Sequence, residues 1–241
     1  MESFQHHTTV NNHQRELVYA FCSIIFGIFL FFAISNDVIH DLRGEGRYAQ
    51  TAPWWFLYTF TCQSNIFVLI YLVLFVIGVF GYKKYTKLYH FTHSTALVTS
   101  VTLYISITFF VVIFILNSVI KGEYDETADY FIVHNLSPVY MWLIYFFVKT
   151  EGKYDWKKLL YTLIYPLTYV VLTAIVGGLV EIYDTETMKN VWAFPYAFLN
   201  YKNGVGIYFA YVFGLLLIFS LFGYGLGKLK PKIDRLFVER K

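Results

Sequence analysis

Phe60-Thr61-Cys62-Gln63-Ser64-Asn65 places a run of polar groups inside an apolar stretch, and His134 stands alone in another. Polar side chains within a bilayer are costly, so each calls for a partner or a task. A threonine hydroxyl is a weak nucleophile at neutral pH and needs an adjacent base. Neutral histidine is the usual base. Amides at Gln63, Asn65 and Asn135, with the Ser64 hydroxyl, are candidate donors to an oxyanion. Thr61 and His134 therefore make a minimal nucleophile–base pair for acyl transfer. No apolar stretch holds a carboxylate to orient the imidazole. A carbonyl, a hydroxyl or a loop acid such as Asp129 or Asp37 would have to do so. The same residues have a plainer reading, because Thr and Ser in membrane helices often bond the preceding turn or hold helices together. Spacing alone favours that reading for Thr61 and leaves the two level for His134.

The elements that must position these groups follow from composition. The chain has 241 residues, 57% apolar and 15% charged, whereas soluble domains carry about 25% charged residues. Its mean hydropathy is +0.51. Six stretches, near 17–35, 55–80, 89–119, 131–148, 159–180 and 206–227, lack Asp, Glu, Lys and Arg. Each reaches or approaches the roughly 20 residues that cross a bilayer core. The expectation is an all-α membrane protein, a bundle of six transmembrane helices in one domain. Lys and Arg fall mostly on the two termini and the loops near 81–88 and 149–158, so the positive-inside rule puts both termini in the cytoplasm. The polar segment before residue 17 has no basic n-region and no small-residue cleavage site, which reads as a retained first helix.

Depth ties the two polar sites together. Thr61, Ser64 and Asn65 share one helical face at i, i+3 and i+4. Thr61 would lie about 10 Å below Trp54 and His134 about 6 Å below Tyr130, on parallel spans. Pro138 removes the helical hydrogen bond to the His134 carbonyl, and Pro166 does the same to Thr162. In the third span, Thr95, Thr99, Thr102 and Ser106 form a stripe that reads first as packing, then as cavity lining. His90 and His93 at its start read as interfacial. The aromatic segment 191–199 either covers a cavity or forms an interfacial belt, and the basic tail from Lys228 reads as an interfacial helix.

Other chemistries fit less well. A haem needs axial ligands at matched depth, but His93 and His134 lie toward opposite faces. His40, His134 and Asp37 or Asp41 match no tight zinc motif. No cofactor or metal is expected. Cys22 and Cys62 both lie in apolar stretches and read as small buried hydrophobes. The net charge of +3 sits in short loops, reflecting topology and not nucleic-acid binding.

The runs Phe60-Thr61-Cys62-Gln63-Ser64-Asn65 and His134-Asn135-Leu136-Ser137-Pro138, with Ala193-Phe194-Pro195-Tyr196-Ala197-Phe198, resemble the androgen-induced gene family of multi-span membrane threonine hydrolases, in particular its bacterial six-span relatives. The resemblance follows span order and loop length over nearly the whole chain. It implies cleavage of fatty acid esters of hydroxy fatty acids or similar lipid esters, drawn from the bilayer. It also implies Thr61 as nucleophile and His134 as base. The alternative is a transporter, channel or lipid-binding protein without catalysis. The Phe, Tyr, Lys and Asn bias is that of an AT-rich bacterial genome, hence a bacterial cell membrane.

Overall fold

A computed structural model describes residues 2–116 and 127–239. The end of the third predicted span, 117–119, lies outside them. The chain is mostly helical. Helix α1 covers Glu2–Leu42, α2 Trp55–Tyr58, α3 Phe60–Phe80, α4 Thr86–Thr92 and α5 Thr95–Val111, which runs into a π turn at Val112–Leu116. After the undescribed stretch come α6 (Ala128–Phe131), a second π turn (Ile132–Leu136), α7 (Ser137–Phe147) and α8 (Trp156–Leu179). A hairpin of β1 (Glu181–Asp184) and β2 (Lys189–Trp192) follows. Two 3-10 turns then lead into α9 (Val205–Glu239).

Among the described residues, five helical segments are long and apolar enough to cross a membrane: His13–Leu42, Phe60–Phe80, Thr95–Ile115, Trp156–Leu179 and Val205–Leu236. The predicted span 131–148 is divided between α6, the π turn and α7. Side-chain caps set several helix starts, as short oxygen-bearing residues do. Thr59 accepts from Cys62 N, Ser94 from Leu97 N, Thr127 from Tyr130 N and Asp155 from Lys158 N. The Thr59 cap divides the predicted span 55–80, and Asp41 caps the short α2 by accepting from Phe56 N at 2.7 Å.

Two apolar clusters fill the bundle. One joins α1, α3, α5 and α7 around Leu30, Val68, Phe75, Val98 and Ile144. The other joins α5, α8 and α9 around Leu103, Ile107, Tyr169, Val212 and Phe219. The stripe Thr95, Thr99, Thr102 and Ser106 is fully buried.

Each end of the bundle is tied by polar contacts. At one end Arg47 grips Asp184 through two bonds of 2.9 and 2.8 Å and reaches Glu186 at 2.7 Å. Asn36 donates to Asp129 at 2.6 Å. At the other end, His93 is buried, stacked on Tyr89 at 4.0 Å and 3.7 Å from Glu16. His93 at the start of the third span is thus held within the protein and not in solvent. His90 is exposed and pairs with Glu151 at 2.7 Å. Lys230 is also buried. It donates to the Val148 carbonyl at 2.7 Å and pairs with Asp234, which accepts from Thr150 Oγ1 at 2.8 Å. The basic tail therefore begins as a packed continuation of α9 and not as a separate interfacial helix. Cys62 is buried as expected, but Cys22 is exposed on the apolar face of α1.

Candidate functional site

Thr59 sets the local geometry. Its extended backbone (φ −70°, ψ 146°) stops α2 and starts α3. Its hydroxyl donates to the Phe56 carbonyl at 2.8 Å and accepts from Cys62 N at 3.2 Å. Thr61 is thus the second residue of a new helix begun inside an apolar stretch. The first N–H groups of any helix lack intrahelical acceptors. With Thr59 serving Cys62, those of Phe60 and Thr61 have no backbone acceptor among the described residues.

Thr61 is buried and lines a cavity of about 70 Å³ enclosed by α3, α5, α8 and α9. Apolar side chains make up most of the wall, with Thr108 and Tyr169 as further polar groups. Tyr196, Phe198 and Leu199 close it from the segment after the hairpin. The segment 191–199 therefore covers a cavity, one of its two sequence readings. Phe194 anchors that cover: it packs so closely on Gly177 that a Cβ there would overlap the ring. The Thr61 hydroxyl makes no hydrogen bond among the described residues, whereas the hydroxyl of Ser64, one turn on, donates to the Thr61 carbonyl at 3.0 Å and meets Thr108 Oγ1 at 2.8 Å.

The amides proposed as oxyanion donors are engaged elsewhere. Gln63 Nε2 donates to the carbonyls of Leu57 at 3.1 Å and Tyr58 at 3.4 Å, closing the end of α2. Its Oε1 accepts from Tyr165 at 3.2 Å. Asn65 Nδ2 donates to Thr61 O at 2.8 Å and Val133 O at 3.0 Å. Two hydrogens on each amide nitrogen are thereby spent. In this conformation neither Gln63 nor Asn65 has a donor left for a substrate. Asn135 is half-buried on the π turn, away from the cavity wall.

The π turn explains the bond to Val133. Ser137 N donates to Ile132 O, five residues back. In that register the next donor, to Val133, would be residue 138, and proline has no N–H. The proline effect therefore falls on Val133 and not on His134 as the four-residue rule predicts, and Asn65 supplies the missing donor. Pro166 follows the simple rule: the Thr162 carbonyl that it releases accepts from Tyr104 at 2.8 Å.

His134 Nδ1 lies 3.1 Å from the Tyr130 carbonyl. A carbonyl only accepts, so Nδ1 carries the proton and Nε2 holds the lone pair. The Tyr130 ring packs against the imidazole in a tilted arrangement, centroids 4.1 Å apart. The orienting group is a backbone carbonyl; Asp129 is engaged with Asn36 instead. His134 does not line the cavity, and no hydrogen bond joins it to Thr61. The two elements meet through Asn65, one turn after Thr61, and Val133, the residue before His134. Sequence reasoning did not single out Tyr169 or Thr108. Their only signal was placement on the faces of the fifth and third spans that meet Thr61.

Set against family models, curated proteins and solved structures, the chain has no match. What the architecture defines is a mostly helical protein, consistent with a multi-pass membrane protein, with a cavity among its helices.

Proposed function

We propose that this chain is a six-span hydrolase of lipid esters in the cell membrane, with both termini cytoplasmic, Thr61 as nucleophile and His134 as base. The observation that carries the reading is the uncommitted Thr61 hydroxyl on the wall of an apolar cavity, within an apolar helix. The segment Ala128–Phe147 serves as the sixth crossing. Its length of about 30 Å at 1.5 Å per residue matches a bilayer core. Thr61 Oγ attacks the acyl carbon as His134 Nε2 takes its proton. The alcohol leaves with that proton, and water then releases the acid from the acyl-threonine. The Nδ1 bond to Tyr130 supports the base assignment, because it fixes the lone pair on Nε2. Binding of the ester must bring Nε2 to the Thr61 hydroxyl, since catalytic hydrogen bonds often tighten only in the substrate complex.

The test treats the full chain in phosphatidylcholine nanodiscs with an alkyl fluorophosphonate and maps the adduct by mass spectrometry. A phosphonyl group on Thr61, lost in Thr61→Ala and in His134→Ala, is the expected result. An unlabelled Thr61, with ester turnover unchanged in both variants, refutes the reading.

A second reading has its own observation. Asn65 Oδ1, Tyr71 OH, Thr99 Oγ1, Thr102 Oγ1 and Ser137 Oγ, on α3, α5 and α7, are buried without partners among the described residues. Buried polar groups usually find a partner or a water, so this row suits a hydrated passage for a small solute or proton. Flux across proteoliposomes that survives Thr61→Ala but falls in Thr102→Val would favour it over hydrolysis.

A further inference from the structure

Two features border the Thr61 cavity that the reading above does not use. The first is Tyr169. It is 4% exposed and lines the cavity, and its hydroxyl has no hydrogen-bond partner among the described residues. Its ring packs edge-on against Phe60 at 5.0 Å. Phe60 and Thr61, the first two residues of α3, line the same cavity. The start of the 21-residue helix α3 and an unpaired phenol therefore face the same small space. Left-over N–H groups and the positive end of the helix dipole favour negative charge there.

The second is a groove of about 460 Å³ between α5 and α9. Its wall is wholly apolar, and it shares Val111, Leu215 and Phe219 with the cavity. Phe114 and Ile218 on its rim are exposed on the apolar surface. The cavity alone is too small for a fatty acyl chain. Cavity and groove together offer a polar end beside Thr61 and an apolar path leading sideways out of the bundle.

We infer that Tyr169 Oη–H and the N–H groups of Phe60 and Thr61 hold the acyl carbonyl oxygen, and that the α5–α9 groove takes a single acyl tail entering from the bilayer. This rests on the hydrolase reading for its chemistry, but not for its binding. When Thr61 Oγ bonds to the acyl carbon, the carbonyl π pair moves onto oxygen. Tyr169 and the two amides stabilise that charge until the pair returns and expels the alcohol. Donors aimed where charge develops act most strongly in a dry site. The arrangement also gives a reason for the break at Thr59, because a continuous helix would have consumed both N–H groups.

The experiment has two arms on the full chain in phosphatidylcholine nanodiscs. In the first, hydrolysis of 4-nitrophenyl palmitate is compared between the wild type and Tyr169→Phe. The expected result is a fall in kcat of roughly 10²–10³ with KM little changed, the loss seen when one oxyanion donor is removed. The melting temperature should hold or rise, because the deleted hydroxyl bonds to nothing. In the second arm, a diazirine-bearing palmitic acid is photolysed and its adducts mapped. Adducts on Val111, Leu215 or Phe219 support the tail site; adducts confined to other helices overturn it. Normal kcat in Tyr169→Phe, with Thr61 still phosphonylated, overturns the donor assignment while leaving the hydrolase standing. Groove adducts on a protein whose Thr61 never reacts leave the tail site standing and remove the hydrolase.

Discussion

The bond from Asn65 to Val133 admits a quantitative test, because its acceptor is free for a known reason. Asn65→Ala leaves the buried Val133 carbonyl unpaired, at a cost of about 1–3 kcal/mol. The shortened side chain adds a small void worth about 1 kcal/mol. Deletion of the unpaired Asn65 Oδ1 returns about 1 kcal/mol. The Thr61 carbonyl keeps Ser64 as a donor and contributes little. The net loss is about 2 kcal/mol, or a melting temperature lower by about 4–8 °C for a chain of this size. The decisive arm is the background. Pro138→Ala restores an N–H at position 138, so Val133 gains a backbone donor in either register: that new N–H with five-residue spacing, or Ser137 N with four. In that background Asn65→Ala should be nearly free of cost, giving a coupling energy of about 1–2 kcal/mol between residues 65 and 138. Unfolding of the four proteins of the cycle in one detergent measures it. Additive losses would show that Asn65 does not substitute for the proline's missing donor.

Two further outcomes concern the hairpin end. Arg47 holds the Asp184 carboxyl well below the usual carboxylate range, so the clamp's contribution is complete above about pH 3.9 and fades as pH falls below that value. Protease sensitivity of segment 181–192 should separate the wild type from Arg47→Ala at pH 6, and the gap should narrow progressively as pH falls from about 3.9 toward 2; a constant gap across that range would contradict the assignment. Gly177→Val should collide with Phe194 and destabilise by about 1–3 kcal/mol, with a matching rise in solvent quenching of Trp192 as the cover lifts. An unchanged melting temperature and quenching constant would show that Phe194 does not anchor the cover.

The helical spans were legible because a stretch without charge over bilayer length has few other structures open to it. The effect of Pro166 was legible too, since the four-residue rule holds inside a regular helix. The same rule failed at Pro138 because no sequence pattern announces a π turn. The break at Thr59 was hidden as well: threonine is ordinary in a membrane helix, and only its extended backbone turns it into a cap. Segment 181–192 carries β-prone Ile182, Tyr183, Val191 and Trp192 around a polar turn, a hairpin signal present in the sequence. The burial of His93 and Lys230 depended on Glu16 and Asp234. The near-helical pairing of Lys230 with Asp234 was visible at i, i+4, whereas the Glu16 contact spans distant segments. At the candidate site, the sequence singled out Thr61 and His134 but assigned the amides to a substrate, when their neighbours' broken helices had already claimed them.

The clamp between Arg47 and Asp184 also imposes a timetable. Its two halves lie 137 positions apart. At about 5–20 residues per second, a ribosome needs roughly 7–27 s to deliver Asp184 after Arg47. For that interval the loop after α1 must wait at the rim without its anchor, while the intervening helices enter the membrane. Any pause in synthesis between those two residues prolongs the exposure.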